Sequence, residues 1–395
     1  MSTPRPAATV IAAVLPWPPA TGGQKRTLRL LEAMDRAGVT PRLLTPDGSE
    51  AATQELRGRG WGVEAAADRA PSLGDRLGQH ARRRPSPYLI DVERRLRAQH
   101  SAPPAFVQVE HAMSGYYFAA HPAVPSVLST HNVDSEMLAT VARGRRRLTP
   151  AWTAEWNRAL AMGTTERRAA RKADAVLCVS EADVAYFVRH ADEVLLVPNG
   201  VDDEVFAIDA APPEGEGLLF FGRLDYAPND HGLRRFLVEA WPRIAAARPV
   251  AHLRVVGAGI SPEAAAAVAA APRAEAAGMV PDIGAELARC AVVTVPIWQG
   301  GGTRLKVLEA LGAARPIAGT PLGVSGVGVR SGVHAAVAED DAGLADATVA
   351  LLGDPTARRA MAEAGRRLAE GHRWEVATAP AAELYARWAA RRPAG

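Results

Sequence analysis

Cysteine is nearly absent from the 395 residues: only Cys178 and Cys290 occur. Both sit in apolar runs, AVLCVS and RCAVVTVP, and read as small core hydrophobes, not as a disulfide or a thiolate metal site. The histidines are scattered without metal-ligand spacing. No stretch approaches the ~18 apolar residues of a membrane span, and MSTPRPAATV runs straight into a strand-like segment with no secretory signal. A reducing cytoplasm is the expected compartment. The phosphate-loop pattern G-x-x-x-x-G-K-[ST] is missing, which excludes a P-loop NTPase. VVGAGISPEA opens like a dinucleotide fingerprint, but Pro262 stands where the third glycine belongs. A nicotinamide-dependent oxidoreductase loses most of its support there.

What is present describes a globular protein: 48% of residues are apolar and 23% charged, the range of a folded soluble chain. The length favours two domains of roughly 150–200 residues. The net charge of +3 is unevenly placed, with Arg82 to Arg84, Arg94, Arg95, Arg97 and Arg143 to Arg147 crowding the N-terminal half. Such runs are mostly solvated faces or loops. The weaker reading is peripheral contact with an anionic membrane surface or a phosphorylated acceptor. No nucleic-acid partner is expected.

Short apolar, β-branched runs alternate with helical stretches. Thr9 to Leu15, VTPRLLT, Ala105 to Glu110, PSVLST and Asp174 to Ser180 read as buried parallel strands, with helices over Arg26 to Ala37 and Ala151 to Lys172. After the breaker-rich Ala211 to Gly217 the alternation restarts with LLFFG, AHLRVVG, AVVTVP and RPIAGT. Repeated β-then-α units predict an α/β chain of two doubly wound parallel sheets. The expected division is residues 1–205 and 206–375. A closing helix, 376–395, either stays on its own domain or crosses back to the first.

Open α/β sheets bind ligands outside the carboxyl ends of their strands. Two glycine-rich loops fall at such ends: PPATGGQKR, with Gly22 and Gly23, and QGGGTRLKVLEALG, Gln299 to Gly312. One loop per domain suggests one ligand held by both. Glycines ahead of a helix open its free N–H groups to an anion. Thr303 is the expected N-cap, with Leu305, Leu308 and Leu311 facing inward. Arg304 and Lys306 fall in the first helical turn, where the helix dipole disfavours cations unless an anion is bound. Glu309 shares a face with Gly302 and Lys306. Its bland role is a Lys306–Glu309 surface pair worth ~0.2–0.5 kcal/mol; its functional role is holding two sugar hydroxyls.

QGGGTRLKVLEALGAARPIAGTPLGVSGV resembles the donor-binding signature of glycosyltransferase family 4, whose GT-B fold has two facing Rossmann-like domains. LLVPNGVDDEVF, Leu195 to Phe206, is similar to that family's interdomain segment. LLFFGRLDYAPNDHGLRRFL is similar to the start of its C-terminal domain, and ATGGQKR to its N-terminal glycine loop. The resemblance covers nearly the whole chain and is strongest from Asp174 to Gly328.

It implies an acceptor-side N-terminal domain and a donor-binding C-terminal one. It also implies hexosyl-type transfer from a nucleoside diphosphate sugar, with retention at the anomeric carbon and no metal or other cofactor. By the same resemblance Glu309 holds the ribose hydroxyls, while Gly301, Gly302 and Thr303 offer N–H groups to the diphosphate and the donor sugar. Arg223 neutralises the diphosphate, Gly22 and Gly23 approach the donor phosphate and acceptor, and His131 lines the N-terminal side. The chain departs from the family at two charged places. Gly301 stands where many members carry a glutamate eight residues before the position of Glu309, and Pro228 where a lysine often follows the arginine. Arg304 and Lys306 are expected to take over phosphate neutralisation, which makes Arg304, Arg223 and His131 the candidate catalytic residues.

No carboxylate nucleophile is evident, so the expected chemistry is front-face attack, with the departing phosphate accepting the acceptor's proton. Of the remaining candidates, His111 with Glu110 faces the acceptor or merely packs, and Tyr116, Tyr117 and Phe118 line an acceptor pocket or the core. The expected acceptor is a small molecule, a glycan or a lipid-linked molecule. Alternatives are a GT-B-type epimerase or phosphorylase, which needs catalytic carboxylates or a cofactor lysine, and a non-catalytic nucleotide-sugar-binding protein of periplasmic type, which the missing export signal disfavours.

Overall fold

A computed structural model of the chain describes residues 5–45, 49–65, 94, 98, 103–112, 124–300 and 304–390. Arg82 to Arg84, Arg95, Arg97, Tyr116 to Phe118 and the loop positions Gly301, Gly302 and Thr303 lie outside the described residues. The chain forms two compact units. One comprises Met1–Ala139, Pro150–Pro198 and Thr378–Gly395; the other comprises Thr140–Thr149 and Asn199–Ala377.

The first unit holds a seven-stranded parallel sheet built from β1 (Ala7–Ile11), β2 (Thr40–Thr45), β3 (Gly62–Ala65), β4 (Val107–Glu110), β5 (Ser126–Ser129), β6 (Ala175–Cys178) and β7 (Val194–Leu196). Its order is β3-β2-β1-β4-β5-β6-β7. β4, β5 and β6 are buried along their whole length, as a parallel sheet with both faces covered requires. The second unit repeats the plan with β8 (Gly217–Phe221), β9 (His252–Val256), β10 (Ala274–Gly278), β11 (Val292–Val295), β12 (Ile317–Gly319) and β13 (Ala336–Val337), in the order β10-β9-β8-β11-β12-β13. The winding direction reverses once in each sheet, between β1 and β4 and between β8 and β11. Loops leaving strand ends at such a reversal are where open α/β sheets hold their ligands. Both glycine-rich loops leave such ends: one follows β1 and the other follows β11.

The closing helix, Trp374–Ala389, sends Ala381, Leu384, Tyr385 and Trp388 into the core of the first unit. Tyr385 stacks on Phe106 with ring centroids 5.1 Å apart. Each such large buried side chain contributes about 1.5–3 kcal/mol of transfer free energy. The chain leaves the first unit after Pro198 and returns at Thr378, and the helix Gly22–Arg36 grips both places. Arg26, only 1% exposed, donates to the Val197 carbonyl at 2.7 Å, and Arg36 donates to Thr378 Oγ1 at 2.9 Å. In the second unit the two passages run side by side: Val201 bridges Arg373 in parallel fashion, and Trp374 packs on Gly200. A Cβ at Gly200 would fall 2.7 Å from the Trp374 Cα, so this close approach requires glycine.

Cys178 and Cys290 are buried free thiols, and burial pushes both up to about 12. Among the described residues no group of histidine, cysteine or carboxylate side chains is placed to hold a metal ion, and no helix is long and apolar enough to cross a membrane.

Candidate functional site

Each unit presents polar residues at its strand-order reversal. In the second unit, β11 runs through Pro296 and Trp298 to Gly300, whose φ of +104° and closeness to Pro228 leave no room for a side chain. Beyond the undescribed Gly301, Gly302 and Thr303, the helix spans Leu305–Gly312 and Arg304 is its cap residue, in extended conformation and with no side-chain cap. The cap expected at Thr303 therefore falls one residue later, on a side chain that cannot accept a hydrogen bond.

Arg304 is 8% exposed, and burial holds its guanidinium below the ordinary arginine range, with Tyr226 pulling the other way. Lys306 is half-buried, but its ammonium end is enclosed. Nζ donates to Asn229 Oδ1 at 2.9 Å and lies 4.8 Å from the centre of the Phe220 ring. Burial, aided by the charge of Arg304 and opposed by Glu309, brings Lys306 down to about 7. Two cationic side chains thus lie in one helical turn, where burial and, for Lys306, the charge of Arg304 disfavour the charged forms.

The β8 loop closes around the same lysine. Gly222 has φ +133°, and a Cβ there would meet Lys306 Nζ at 3.2 Å. Asn229 donates to the Arg223 carbonyl at 2.6 Å, so Lys306, Asn229 and Arg223 form one hydrogen-bonded chain. The Arg223 guanidinium itself is exposed and paired in bidentate fashion with Asp225, at 2.9 and 2.8 Å. Such an exposed pair is worth about 1 kcal/mol or less, so a diphosphate could displace it at little cost. Gly257, from the fingerprint-like VVGAGISPEA, lets the β9 loop pass the Gly222 carbonyl, which a Cβ would strike at 1.8 Å. Pro262 opens the next helix behind Ser261 as its N-cap. Gly257 therefore shapes the loop that encloses Lys306.

Glu309 is 8% exposed on a helix buried from Val307 to Gly312, and its charge acts on Lys306, so any pairing of the two is buried and not a surface pair.

In the first unit, Thr21 caps the helix Gly22–Arg36 through a capping box with Gln24, which fixes Gly22 and Gly23 as the opening residues. A Cβ on Gly23 would stand 3.1 Å from His131 Nδ1. The structure thus brings together Gly23 and His131, two of the sequence candidates. His131 Nε2 lies 2.7 Å from Glu110 Oε2, and the His111 ring centre is 4.0 Å from that of His131. Burial above all brings His111 down to about 4, against the pull of Glu110. Burial pushes the Glu110 carboxyl up, but hydrogen bonds from His131 and Gln108 and the charge of Arg26 together hold it below the ordinary range.

Sequence reasoning passed over Gln108, Asn229, Arg26 and Tyr385. Gln108 had a visible signal: with Glu110 it puts polar side chains at alternate positions of an otherwise apolar strand, on one face of the sheet.

Two family models match the chain. Residues 20–205 match the model described as Glycosyltransferase Family 4, and residues 215–354 match that described as Glycosyl transferases group 1. The chain is a glycosyltransferase of the family 4 type. No curated protein sequence matches it.

Solved structures share the fold across nearly the full length. Sucrose-phosphate synthase from Thermosynechococcus elongatus is 17% identical with a TM-score of 0.72, the match covering 98% of this chain and 100% of that one. Anabaena HepE, solved in complex with UDP, is 15% identical with a TM-score of 0.70 over 97% and 100%. WaaG, a glycosyltransferase involved in lipopolysaccharide biosynthesis, is 16% identical with a TM-score of 0.66 over 96% and 99%. At these identities the likeness is one of fold. The glycosyltransferase thus has the α/β GT-B fold, with a Rossmann-like parallel sheet in each unit.

Proposed function

We propose that this glycosyltransferase takes its sugar from a nucleoside diphosphate donor bound at the β8–β11 reversal and transfers it to a hydroxyl acceptor with retention. The observation that carries this reading is the pairing of Arg304 and Lys306, both shielded from water and both next to the β8 loop. A departing diphosphate gathers negative charge as the sugar ring becomes positive, and preorganised cations in a shielded site stabilise that charge. Lys306 stands in for the lysine replaced by Pro228, reaching the loop from the β11 helix through Asn229. Arg223 is the third cation once a phosphate displaces Asp225. Glu309 holds the ribose, and Gly301, Gly302 and Thr303 offer their N–H groups.

Retention follows in this reading from front-face attack, with the leaving phosphate taking the acceptor's proton. No step calls for a metal, so activity should survive a chelator. His131 serves the first unit's side of the reaction. The UDP complex of HepE makes uridine nucleotides the first donors to try.

The test is incubation with a panel of nucleotide sugars, with and without candidate acceptors. A transferase releases nucleoside diphosphate chiefly when the right acceptor is present. An epimerase converts the donor alone, and a binding protein does neither. A covalent sugar adduct trapped on Asp or Glu would overturn front-face attack.

A further inference from the structure

His131 is held on two sides by groups of opposite demand. On one side Nε2 faces the Glu110 carboxylate at 2.7 Å. On the other, Nδ1 faces Gly23 in the first turn of the helix Gly22–Arg36. The Glu110 environment has a direction. Its Oε1 accepts from Gln108 Nε2 at 2.7 Å, and Gln108 Oε1 accepts from the Tyr385 hydroxyl at 2.6 Å. An ionised carboxylate has lone pairs only. Gln108 must therefore turn its N–H groups toward Glu110 and its oxygen toward Tyr385, which must donate. Every hydrogen bond in this buried chain points at Glu110, and Gln108, Glu110 and Tyr385 are each 1% exposed or less.

The same logic fixes the imidazole. With Nε2–H given to Glu110, a neutral ring keeps its lone pair on Nδ1. The partial positive charge at a helix N-terminus favours a lone pair there and disfavours a second N–H. The other charged or titratable groups acting on the pair are His111 beside the ring, Arg26 on the helix, and Asp134, which follows β5.

We propose that Glu110 is a positioning residue for the transfer reaction: it fixes His131 in the Nε2–H tautomer, so that Nδ1 accepts a hydrogen bond from a sugar hydroxyl arriving beside Gly23. Gln108 and Tyr385 hold Glu110 ionised and aimed. The tautomer stands on the geometry of this unit alone, whereas the hydroxyl partner rests on the nucleotide-sugar reading above. The glycine at position 23 then has a chemical reason, since any side chain would occupy the space the hydroxyl needs.

Nitrogen-15 NMR of histidine-labelled protein tests this, with the His131 signals assigned by their loss in His131→Asn. In the ligand-free wild type the expected result is a pyrrole-type Nε2 and a pyridine-type Nδ1. In Glu110→Gln the side-chain amide can present either its oxygen or its nitrogen to Nε2, so both tautomers are expected. Turnover in that variant should fall at least tenfold, while its affinity for the nucleoside diphosphate stays within about twofold of wild type. A wild-type ring protonated on Nδ1, or on both nitrogens near neutral pH, overturns the assignment, and this measurement needs no variant to fold. A single Nε2–H tautomer persisting in Glu110→Gln removes Glu110 from the role. A protein that shows the expected tautomers yet moves no sugar from any nucleotide sugar refutes the transferase-donor reading and leaves the tautomer assignment standing.

Discussion

Affinity for a nucleoside diphosphate should fall about 16-fold between pH 7.0 and 8.5, and Lys306→Met should abolish that fall. The Lys306 ammonium is enclosed by Gly222, Phe220 and Asn229 and brought down to about 7 by burial and by Arg304. A group titrating there is about half charged at pH 7.0 and about 3% charged at pH 8.5. If the diphosphate binds the charged form, the ratio of the two is the 16-fold, about 1.6 kcal/mol. The terminal phosphate ionises at about pH 6 and is already about nine-tenths charged at the lower end of the window, so its own titration changes affinity by only about 10%. The sign is fixed by linkage. A depressed pKa is restored when an anion arrives, so binding takes up a proton, and affinity declines as pH rises through 7. Isothermal titration calorimetry in two buffers of different ionisation enthalpy counts that proton. The ligand-free protein gives an opposite trend. An unfolded lysine keeps its proton to about pH 10.4, so the unfolded state holds more protons above pH 7, and this group's contribution to stability rises with pH. An equal pH slope in Lys306→Met, or no proton uptake by the wild type, would refute the reasoning.

Arg304→Ala and Glu309→Ala should each weaken nucleoside diphosphate binding by about 1–3 kcal/mol, as for buried charge-assisted hydrogen bonds; unchanged affinity in both would remove this helix from the site. Gly23→Ala crowds His131 Nδ1 at 3.1 Å, so transfer should drop on the order of tenfold, with the urea midpoint unchanged or raised by the better helix former. Gly200→Ala forces a Cβ against the Trp374 backbone and should cost about 3 kcal/mol, at the upper end of overpacking effects, read from urea unfolding. A thiol reagent should leave native Cys178 and Cys290 unlabelled and label both in urea, since burial raises each thiol far from its reactive form.

The strands were largely legible because parallel strands buried on both faces are apolar runs: PSVLST holds β5, AVVTVP holds β11 and RPIAGT holds β12. β10, AEAAG, escaped notice because it is an alanine-rich edge strand with no fully buried residue and neither apolar run nor alternation. The placement of the closing helix was undecidable from sequence, since Tyr385 and Trp388 would suit either core. The placing of Arg304 and Lys306 together at a helix start was legible from the conflict between their charge and the helix dipole. Asn229 and Tyr385 were not, because each acts through a partner distant in the chain: Asn229 is 77 residues from Lys306 and Tyr385 is 277 from Gln108.

The helix Gly22–Arg36 has one more consequence. Arg26 and Arg36 are ten residues apart, about 15 Å along the axis, and each holds one of the two points where the backbone crosses the boundary of its unit. The helix therefore ties the exit and the re-entry of the chain to one element, so the spacing of the two crossings within the unit is set by a helix length.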